Sequence, residues 1–371
     1  MTFNTSILKN EEKIIYNLRA LYHKYGYTQY KMSKFEEYDL YAKNKDYLSS
    51  DNIITFTDTN GKLMALKPDV TLSIVRNSRI QGCEVQKVYY NENVYRVPGA
   101  GKGFREIPQV GLECIGATDM FCISEVLLLA AKSLKYISEE SRLSISNLDI
   151  VSGLINNLNL DKSSVSDIFK CISQKNIHEL EAICKEKGAC EETTAKLVKL
   201  IGLSGSAEEV IPGLKELGCC EESAAQLEAC TAILREYGFA DMVTIDFSII
   251  SDVNYYNGIV FTGYISGIPS AVVIGGQYEN LMKKMGKHCG AIGFAVYLDL
   301  LERLEESSAC DVDTILIYEE GADPMQLHKA VEDLTDLGIT VMAQKCVPDK
   351  IRYKRLAKFS DGEVSFVGKN A

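Results

Sequence analysis

Alternating apolar and polar positions predict two antiparallel hairpins in the first third of the chain. From Ile53 the residues IITFTDTNGKLMALKPDV alternate around Thr59, Asn60 and Gly61, a combination typical of a tight hairpin turn. The stretches VQKVYYNENVYRV and REIPQVGLECIG flank a glycine-rich tip at residues 99–103. We therefore expect a second, longer hairpin there.

Helical spacing of apolar residues predicts three helical regions. The opening segment EEKIIYNLRALYHKYG ends in Gly26, a common stop signal, and an apolar helix is predicted after Asp119. From about residue 154 to 238 the pattern becomes helical and polar. There GACEETTAKL and GCCEESAAQL resemble each other, and we interpret them as two helix starts whose acidic residues lie at the positive end of the helix dipole.

Strand patterns return after the helical region. MVTIDFSII, GIVFTGYI and AVVIGGQY read as strands, and AVYLDLLERLEE, residues 295–306, as a closing helix. A composition break at residues 307–313 precedes a strand, a helix and a strand, which predict a small α/β unit. The expected fold class is α+β, with an antiparallel sheet flanked by helices. The predicted domains are a first core part at 1–153, a helical insertion at 154–240, a second core part at 241–306 and the C-terminal unit at 311–371.

Composition narrows the possible partners. The 371 residues include 40 basic and 51 acidic side chains, a net charge of −11, so the chain has no diffuse positive field for a phosphate backbone. No apolar run approaches the ~18 residues that would indicate a membrane span. Scattered cysteines without a signal-peptide pattern predict reduced thiols and a cytoplasmic protein, and the four histidines show no metal-ligand spacing. We expect the vicinal pair Cys219 and Cys220 to serve packing rather than redox chemistry.

The stretch YRVPGAGKGFREIPQVGLECIG carries the candidate chemistry. Arg96, Arg105, Gln109 and Glu113 surround the tip of the predicted hairpin. Residues four apart on a strand point to the same side, so Gln109 and Glu113 share a face. The arrangement favours a small polar ligand. Alternatively, Arg105 and Glu106 form only a solvated pair.

Four stretches resemble the class II histidyl-tRNA synthetases and their relatives in order and spacing. They are ALKPDVT, YRV with GFREIPQVGLE, NYYNGIVF, and GGQYENL with GFAVYLDLL, and the resemblance extends over residues 5–305. It implies a class II synthetase-like sheet and a histidine pocket. In that pocket Asp69 and Thr71 would hold the α-ammonium group of the bound histidine. Gln109 would lie beside the main-chain end of that histidine, and Glu113 would face its imidazole. The implied binding set is Asp69, Thr71, Arg96, Gln109, Glu113, Tyr255, Tyr256 and Tyr278.

Some residues of these stretches also have a purely structural interpretation. Asp69 could cap the helix that begins near Thr71, a common use of aspartate. Tyr255 and Tyr256 could be ordinary strand residues, since aromatic side chains favour strands. Gly275 and Gly276, in the fourth stretch, could mark a β-bulge rather than the approach of a ligand.

The family pattern is broken at the positions that would bind the nucleotide. Ser251 and Leu300 stand where the synthetases carry arginines, and Asp252 adds a negative charge. Loss of one such donor typically costs about 2.7–4 kcal/mol of catalysis. Pro98 replaces a usual acidic residue at the tip. In KMSKFEEYDLY, which resembles the dimer-interface motif, Met32 and Ser33 replace the usual proline.

Among synthetase paralogues, the chain most resembles the regulatory subunits of ATP phosphoribosyltransferase. That resemblance implies no catalytic residues and no cofactor, and the histidine spacing already predicts no metal. Only the first part of an anticodon-binding domain is recognisable, which together with the net charge of −11 argues against tRNA. The resemblance further implies a homodimer through the core, a short catalytic subunit as partner in a hetero-octamer, and feedback by histidine. Because Ser251 also removes a cation expected at histidine's carboxylate, the effector could instead bind at the interface with the catalytic subunit. The alternatives are an active or degenerate amino-acid-activating enzyme and a free-standing amino-acid sensor.

Overall fold

The computed structural model describes residues 8–45, 48, 53–80, 82–97, 103–218, 220–250, 255–304 and 310–369. Pro98, most of the glycine-rich tip, Cys219, Ser251 and Asp252 lie outside these residues, and so do the predictions made for them. The chain divides into two compact units, Met1–Arg303 and Leu304–Ala371. Each is described separately.

The first unit mixes helices with one large and one small sheet. Its helices are α1 (Asn10–Lys24), α2 (Tyr38–Ala42), α3 (Thr71–Asn77), α4 (Met120–Ile137), α5 (Leu148–Asn156), α6 (Lys162–Ser173), α7 (Ile177–Glu186), α8 (Glu191–Gly202), α9 (Ala207–Glu216), α10 (Glu221–Glu236) and α11 (Glu279–Lys284). Its strands are β1 (Thr28–Gln29), β2 (Phe35–Glu37), β3 (Thr55–Thr57), β4 (Leu63–Leu66), β5 (Val85–Arg96), β6 (Arg105–Gly116), β7 (Ser141–Asn147), β8 (Ser204–Gly205), β9 (Val243–Asp246), β10 (Asn257–Ile265), β11 (Val273–Gln277) and β12 (Gly290–Tyr297).

The large sheet has nine strands in the order β1-β5-β6-β12-β11-β10-β7-β9-β8. Its pairs are antiparallel except β1 with β5 and β7 with β9. The long hairpin predicted from the sequence is confirmed as β5 and β6, which pair from Val85 opposite Gly116 to Arg96 opposite Arg105. The expected α+β class is therefore confirmed.

Helices α1 and α4 cover one face of this sheet and leave the other for a site. Tyr22 of α1 is fully buried, packs edge-on against Phe294 with ring centres 6.0 Å apart, and shares a 3.0 Å hydrogen bond with Ser133 of α4. α4 begins where Asp119 accepts a 3.0 Å hydrogen bond from the backbone N–H of Cys122. Side chains such as Gln109 and Glu113, which alternate with the covered ones along β6, point to the opposite face.

The small sheet, in the order β2-β4-β3, contains the first predicted hairpin. The Asp58 carboxylate accepts 2.8 Å hydrogen bonds from the backbone N–H groups of Asn60 and Lys62, and Gly61 takes the positive φ of 80° that the turn requires. This prediction is confirmed.

Helices α5–α10 occupy the polar, helical stretch of the sequence. The two predicted helix starts are confirmed at α8 and α10, whose first turns contain Glu191 and Glu192, and Glu221 and Glu222. The exact limits of a helical insertion remain a prediction.

One predicted element is wrong in part. Residues 295–297 continue β12, and the next turn, Leu298–Leu304, is a 3-10 helix rather than part of an α-helix. The strand persists because β12 pairs over its whole length with β6, up to Tyr297 opposite Gln109. Sheet pairing thus overrides local helical spacing.

The second unit contains β13 (Val312–Tyr318), α12 (Pro324–Asp336), β14 (Val341–Gln344), β15 (Tyr353–Ser360) and β16 (Glu363–Lys369). The sheet order is β14-β13-β15-β16. The predicted strand–helix–strand is confirmed, because β13 and β14 are parallel neighbours joined by α12. The hairpin β15–β16 was not predicted, although its Asp361–Gly362 turn is typical of one.

Candidate functional site

A cavity of about 310 Å³ lies on the face of the large sheet opposite α1 and α4. All the residues named as a binding set from the sequence line it. Its complete lining is Asp69, Val70, Thr71, Tyr90, Arg96, Gln109, Glu113, Tyr255, Tyr256, Ile274, Tyr278, Gly293, Phe294, Ala295 and Tyr297. The structure therefore brings together side chains from segments that are up to about two hundred residues apart in sequence.

Glu113 lies at the deep end of this cavity. It is 2% exposed, and both carboxyl oxygens accept 2.6 Å hydrogen bonds: Oε1 from the Thr71 hydroxyl and Oε2 from the Tyr278 hydroxyl. Burial raises the pKa of Glu113 to about 8, against the two hydrogen bonds, which lower it. Burial disfavours the ionised form of this carboxyl group, and a cation that entered the cavity would stabilise that form by pairing with it.

Asp69 supplies a second carboxyl group at the N-terminal end of α3. Its Oδ1 accepts a 2.8 Å hydrogen bond from the backbone N–H of Leu72, so the helix-cap interpretation is correct. The same side chain nevertheless lines the cavity. Burial raises its pKa, while the backbone N–H of Leu72 and the nearby Arg96 lower it. One residue can serve both roles because a cap uses only part of the hydrogen-bonding capacity of a carboxylate.

Three tyrosines form an aromatic wall. The rings of Tyr255 and Tyr256 are 4.6 Å apart between centres, and those of Tyr255 and Tyr278 are 5.9 Å apart. Tyr255 and Tyr278 are buried, and burial raises the pKa of both hydroxyls well above the ordinary value. These hydroxyls therefore remain protonated and can donate hydrogen bonds.

Gln109 and Arg96 lie at the other end of the cavity. Gln109 is 3% exposed, and its Nε2 has no hydrogen-bond partner among the residues that the structure describes. Arg96 donates from Nε to the Pro68 carbonyl at 3.4 Å, and its guanidinium lies 6.0 Å from the ring centre of Tyr297. A buried amide donor without a partner costs about 1–3 kcal/mol, which a ligand would recover.

Arg105 does not belong to the site. It does not line the cavity, is 59% exposed, and lies 3.6 Å from the Asp299 carboxylate. Its neighbour Glu106 instead accepts hydrogen bonds from Asn93 and Tyr95. Arg105 is on the same side of β6 as Gln109 and Glu113 but lies beyond the end of the cavity, so the four-residue cluster and the Arg105–Glu106 pair expected from the sequence are both wrong for Arg105.

Glycines provide the space for the cavity. A Cβ on Gly293 would lie 1.9 Å from Oε2 of Glu113, the residue opposite it in the sheet. A Cβ on Gly276 would lie 2.9 Å from Tyr256. The irregularity predicted for Gly275 and Gly276 is instead on the neighbouring strand, where the register shifts between Asn257 and Val260.

Several lining residues were not predicted. Tyr90 is 2% exposed, and its hydroxyl lies 2.4 Å from the place of a Cβ on Gly111. Tyr297 pairs with Gln109 across the strands. The register of the β5–β6 hairpin could have identified Tyr90, which lies opposite Gly111, two residues from Glu113. Tyr297 was missed because its segment was assigned to a helix.

The side chains that line the cavity are suited to binding a small polar ligand. Within the described residues, no group of three or more His, Cys, Asp or Glu could hold a metal ion. A search of the same residues finds no helix with the length and apolarity to cross a membrane. Leu300 lies in the 3-10 helix and is absent from the cavity lining. Two carboxyl groups, one guanidinium and several hydroxyls suit a small zwitterion with an additional basic group.

Comparison with known proteins shows the family to which the chain belongs. The family model for histidyl-tRNA synthetase matches residues 5–301. The ATP phosphoribosyltransferase regulatory subunit of Caldanaerobacter subterraneus is 30% identical over 288 residues, covering 76% of this chain and 75% of that protein. The chain belongs to the histidyl-tRNA synthetase family, among the ATP phosphoribosyltransferase regulatory subunits. The regulatory subunit of Ruminiclostridium cellulolyticum is 27% identical over 316 residues, covering 82% of this chain and 75% of that protein.

Solved structures of this family share the fold. A regulatory subunit/histidyl-tRNA synthetase from Bacillus halodurans superposes with a TM-score of 0.75 at 22% identity, covering 94% of this chain and 93% of that chain. A chain of the ATP phosphoribosyl transferase (HisG:HisZ) complex from Thermotoga maritima superposes with a TM-score of 0.62 at 19% identity, covering 80% of this chain and 98% of that chain. These similarities establish the synthetase-like fold of the regulatory-subunit family for this chain.

Proposed function

We propose that this chain is the non-catalytic regulatory subunit of an ATP phosphoribosyltransferase, the first enzyme of histidine biosynthesis, and that its cavity binds histidine. The observation that carries the proposal is the buried pair of Glu113 and Gln109 at opposite ends of one cavity. Together with the names of its relatives, this geometry favours a chain that senses an amino acid. The proposal places the chain in the cytoplasm.

Histidine fits the polarity of the cavity. Asp69 would receive its α-ammonium, and Glu113 would receive its imidazole between Thr71 and Tyr278. Nε2 of Gln109 would donate to its carboxylate and so gain the partner that it lacks among the described residues. Feedback also requires that histidine bind two conformations of the complex with unequal affinity.

We propose that synthetase activity is lost. Activation of a carboxylate by ATP builds up negative charge on the α-phosphate, which fixed cations normally stabilise. The chain carries Leu300 and Ser251 where the family has arginines, and Leu300 does not line the cavity. Arg96 is a remaining cation at that end, and we expect it to support at most vestigial nucleotide binding.

The partner in this proposal is the short catalytic subunit, and a complex containing both kinds of subunit is known for the Thermotoga maritima neighbour. We further propose a homodimer through the core, within a hetero-octamer. An apolar patch on the small sheet supports the dimer: Phe35, Phe56 and Leu63 are 48%, 39% and 46% exposed, and the two phenylalanine rings stack edge-on at 5.4 Å. The net charge of −11 argues against tRNA.

The test is the rate of phosphoribosyl-ATP formation by the short catalytic subunit, with and without this chain. We expect strong activation that histidine reverses. The variant Glu113→Gln should still activate but respond poorly to histidine, while Glu106→Gln, an exposed control on the same strand, should behave as the wild type. No activation by the wild type would refute the regulatory role. Full histidine response in Glu113→Gln would place the effector at the subunit interface.

A second candidate is an active amino-acid-activating enzyme, which the intact amino-acid end of the cavity favours. Histidine-dependent exchange of pyrophosphate into ATP distinguishes the two. We expect no exchange above background, and sustained turnover would replace our proposal with this one.

A further inference from the structure

Tyr90 lines the amino-acid cavity, and the proposed binding of histidine does not yet use it. It lies directly opposite Gly111 in the pairing of β5 with β6. A Cβ on Gly111 would lie 2.4 Å from the Tyr90 hydroxyl and 2.5 Å from Cζ of its ring. The hydroxyl therefore lies where a side chain of Gly111 would be, between Gln109 and Glu113 on the same side of β6.

The Tyr90 hydroxyl is open to the cavity and has no partner in the chain. The residue is only 2% exposed, yet no hydrogen bond joins its hydroxyl to any residue that the structure describes. The hydroxyl is not one of the unpaired polar atoms that are sealed from solvent, so the surface that it keeps faces the cavity. A buried hydroxyl without a partner lowers stability, and a ligand in the cavity would supply that partner.

The groups around this hydroxyl favour a positively charged donor. Burial raises the pKa of Tyr90 well above its ordinary value, and the neighbouring carboxyl groups of Glu113 and Asp69 raise it further. The hydroxyl therefore stays protonated, and its oxygen can accept a hydrogen bond. Because two carboxyl groups lie near it, a cationic N–H donor is favoured at this place over a ligand carboxylate.

The position of the hydroxyl indicates which part of the ligand it meets. Under the proposed function, histidine extends from Glu113, beside its imidazole, to Gln109, beside its carboxylate. The Tyr90 hydroxyl lies between these two residues, at the level of the α-carbon and its ammonium group. We propose that Tyr90 is a specificity-determining residue whose hydroxyl accepts a hydrogen bond from the α-ammonium group of the ligand, together with Asp69. This inference rests on the proposed function and adds a contact outside the binding set that the family resemblance implied.

The experiment is isothermal titration calorimetry of the full chain with histidine, comparing the wild type with Tyr90→Phe, which removes the hydroxyl and keeps the ring over Gly111. We expect the variant to bind about fivefold to tenfold more weakly, the effect of one hydrogen bond. Its melting temperature without ligand should be unchanged or higher, because the hydroxyl has no partner within the described residues, whereas loss of a structural hydrogen bond would lower it. Tyr89→Phe is the matched control. Tyr89 precedes Tyr90 in β5, packs beside Tyr22 on the other face and is absent from the cavity lining, so this variant should bind as the wild type.

Two analogues identify the ligand group that Tyr90 contacts. Histamine carries the ammonium group and the imidazole, whereas imidazolepropionate carries the carboxylate and the imidazole. Tyr90→Phe should weaken histamine by the same factor as histidine and leave imidazolepropionate unaffected, and an equal loss with imidazolepropionate would overturn the assignment to the ammonium group. Equal histidine affinity in a folded Tyr90→Phe overturns the contact while the proposed function stands. A wild-type protein that binds no histidine refutes the proposed pocket and this contact together.

Discussion

The two ends of the amino-acid cavity, both formed by β6, are built differently. At the deep end, Glu113 receives two short hydrogen bonds and faces a glycine that leaves it room. At the other end, four residues earlier, Gln109 lacks a partner for its Nε2 among the residues that the structure describes, and the 3-10 helix after β12 carries Leu300. Under the proposed function, the difference teaches that recognition of an amino acid and catalysis on it are separable along a single strand. One end of the cavity has its carboxyl group held by hydrogen bonds, while the other has a leucine where the family carries an arginine.

The largest expected effect comes from Glu113→Gln. The amide keeps the shape but cannot ionise when a cationic imidazole pairs with it, so histidine binding should weaken about tenfold to hundredfold, because hydrogen bonds to charged groups contribute about 1.5–3 kcal/mol. Isothermal titration calorimetry measures this directly. Glu106→Gln is the matched control, and equal affinity in both variants would show that the deep end does not recognise the ligand.

Gly293→Ala tests whether the deep end depends on its missing side chain. The added methyl group would meet both Oε2 of Glu113 and the Leu112 carbonyl, at 1.9 and 2.5 Å, so we expect a loss of about 1–3 kcal/mol in unfolding free energy, with impaired histidine binding. Urea denaturation measures the change in unfolding free energy. Gly202→Ala is the control, because a methyl group there meets nothing within 4 Å. If Gly293→Ala has the unfolding free energy and the histidine affinity of the wild type, the close contact is contradicted.

The pH dependence of stability should reveal Glu113 in the absence of ligand. Burial raises the pKa of Glu113 from the ordinary 4.5 to about 8, so between these values the native state holds a proton that the unfolded state has lost. The unfolding free energy therefore falls as pH rises across this window, by at most ~1.4 kcal/mol per pH unit, and levels off above it. Glu113→Gln lacks this contribution. The difference between variant and wild type should grow with pH, and a constant difference would exclude the raised pKa.

The smallest effect is expected at the other end. Gln109→Leu should weaken histidine binding by about 0.5–1.5 kcal/mol, the net value of one neutral hydrogen bond. It should also leave stability unchanged or slightly increased, because a buried donor without a partner is removed. Calorimetry and thermal melting together check both. A loss as large as that of Glu113→Gln would mean that the two ends contribute equally.

Much of this site could be predicted because local signals and family resemblance coincide there. The hairpin turn at Gly61 and the alternation of side chains along β6 can be recognised in the sequence alone, and they indicate where Asp69, Gln109 and Glu113 lie in the fold. Their convergence with Tyr278, far along the chain, was implied only by the resemblance. The role of each side chain in binding remains a prediction.

The parts that could not be predicted depend on tertiary pairing. Residues 295–297 have helical spacing, yet β6 holds them in a strand. Arg105 shares the face of Gln109 and Glu113, but the sequence does not show where along β6 the cavity ends, and its partner Asp299 belongs to the misassigned segment. Tyr90 could be assigned to the site only once the register of β5 against β6 was known.

The absence of side chains on Gly111, Gly276 and Gly293, on three neighbouring strands, has an evolutionary consequence. A Cβ at any of these positions would lie within 3 Å of a backbone oxygen of a neighbouring strand, so it would disturb the sheet as well as the cavity. A single nucleotide substitution in a glycine codon would therefore act on both at once. Selection for a stable sheet and selection for the shape of the cavity fall on the same three positions.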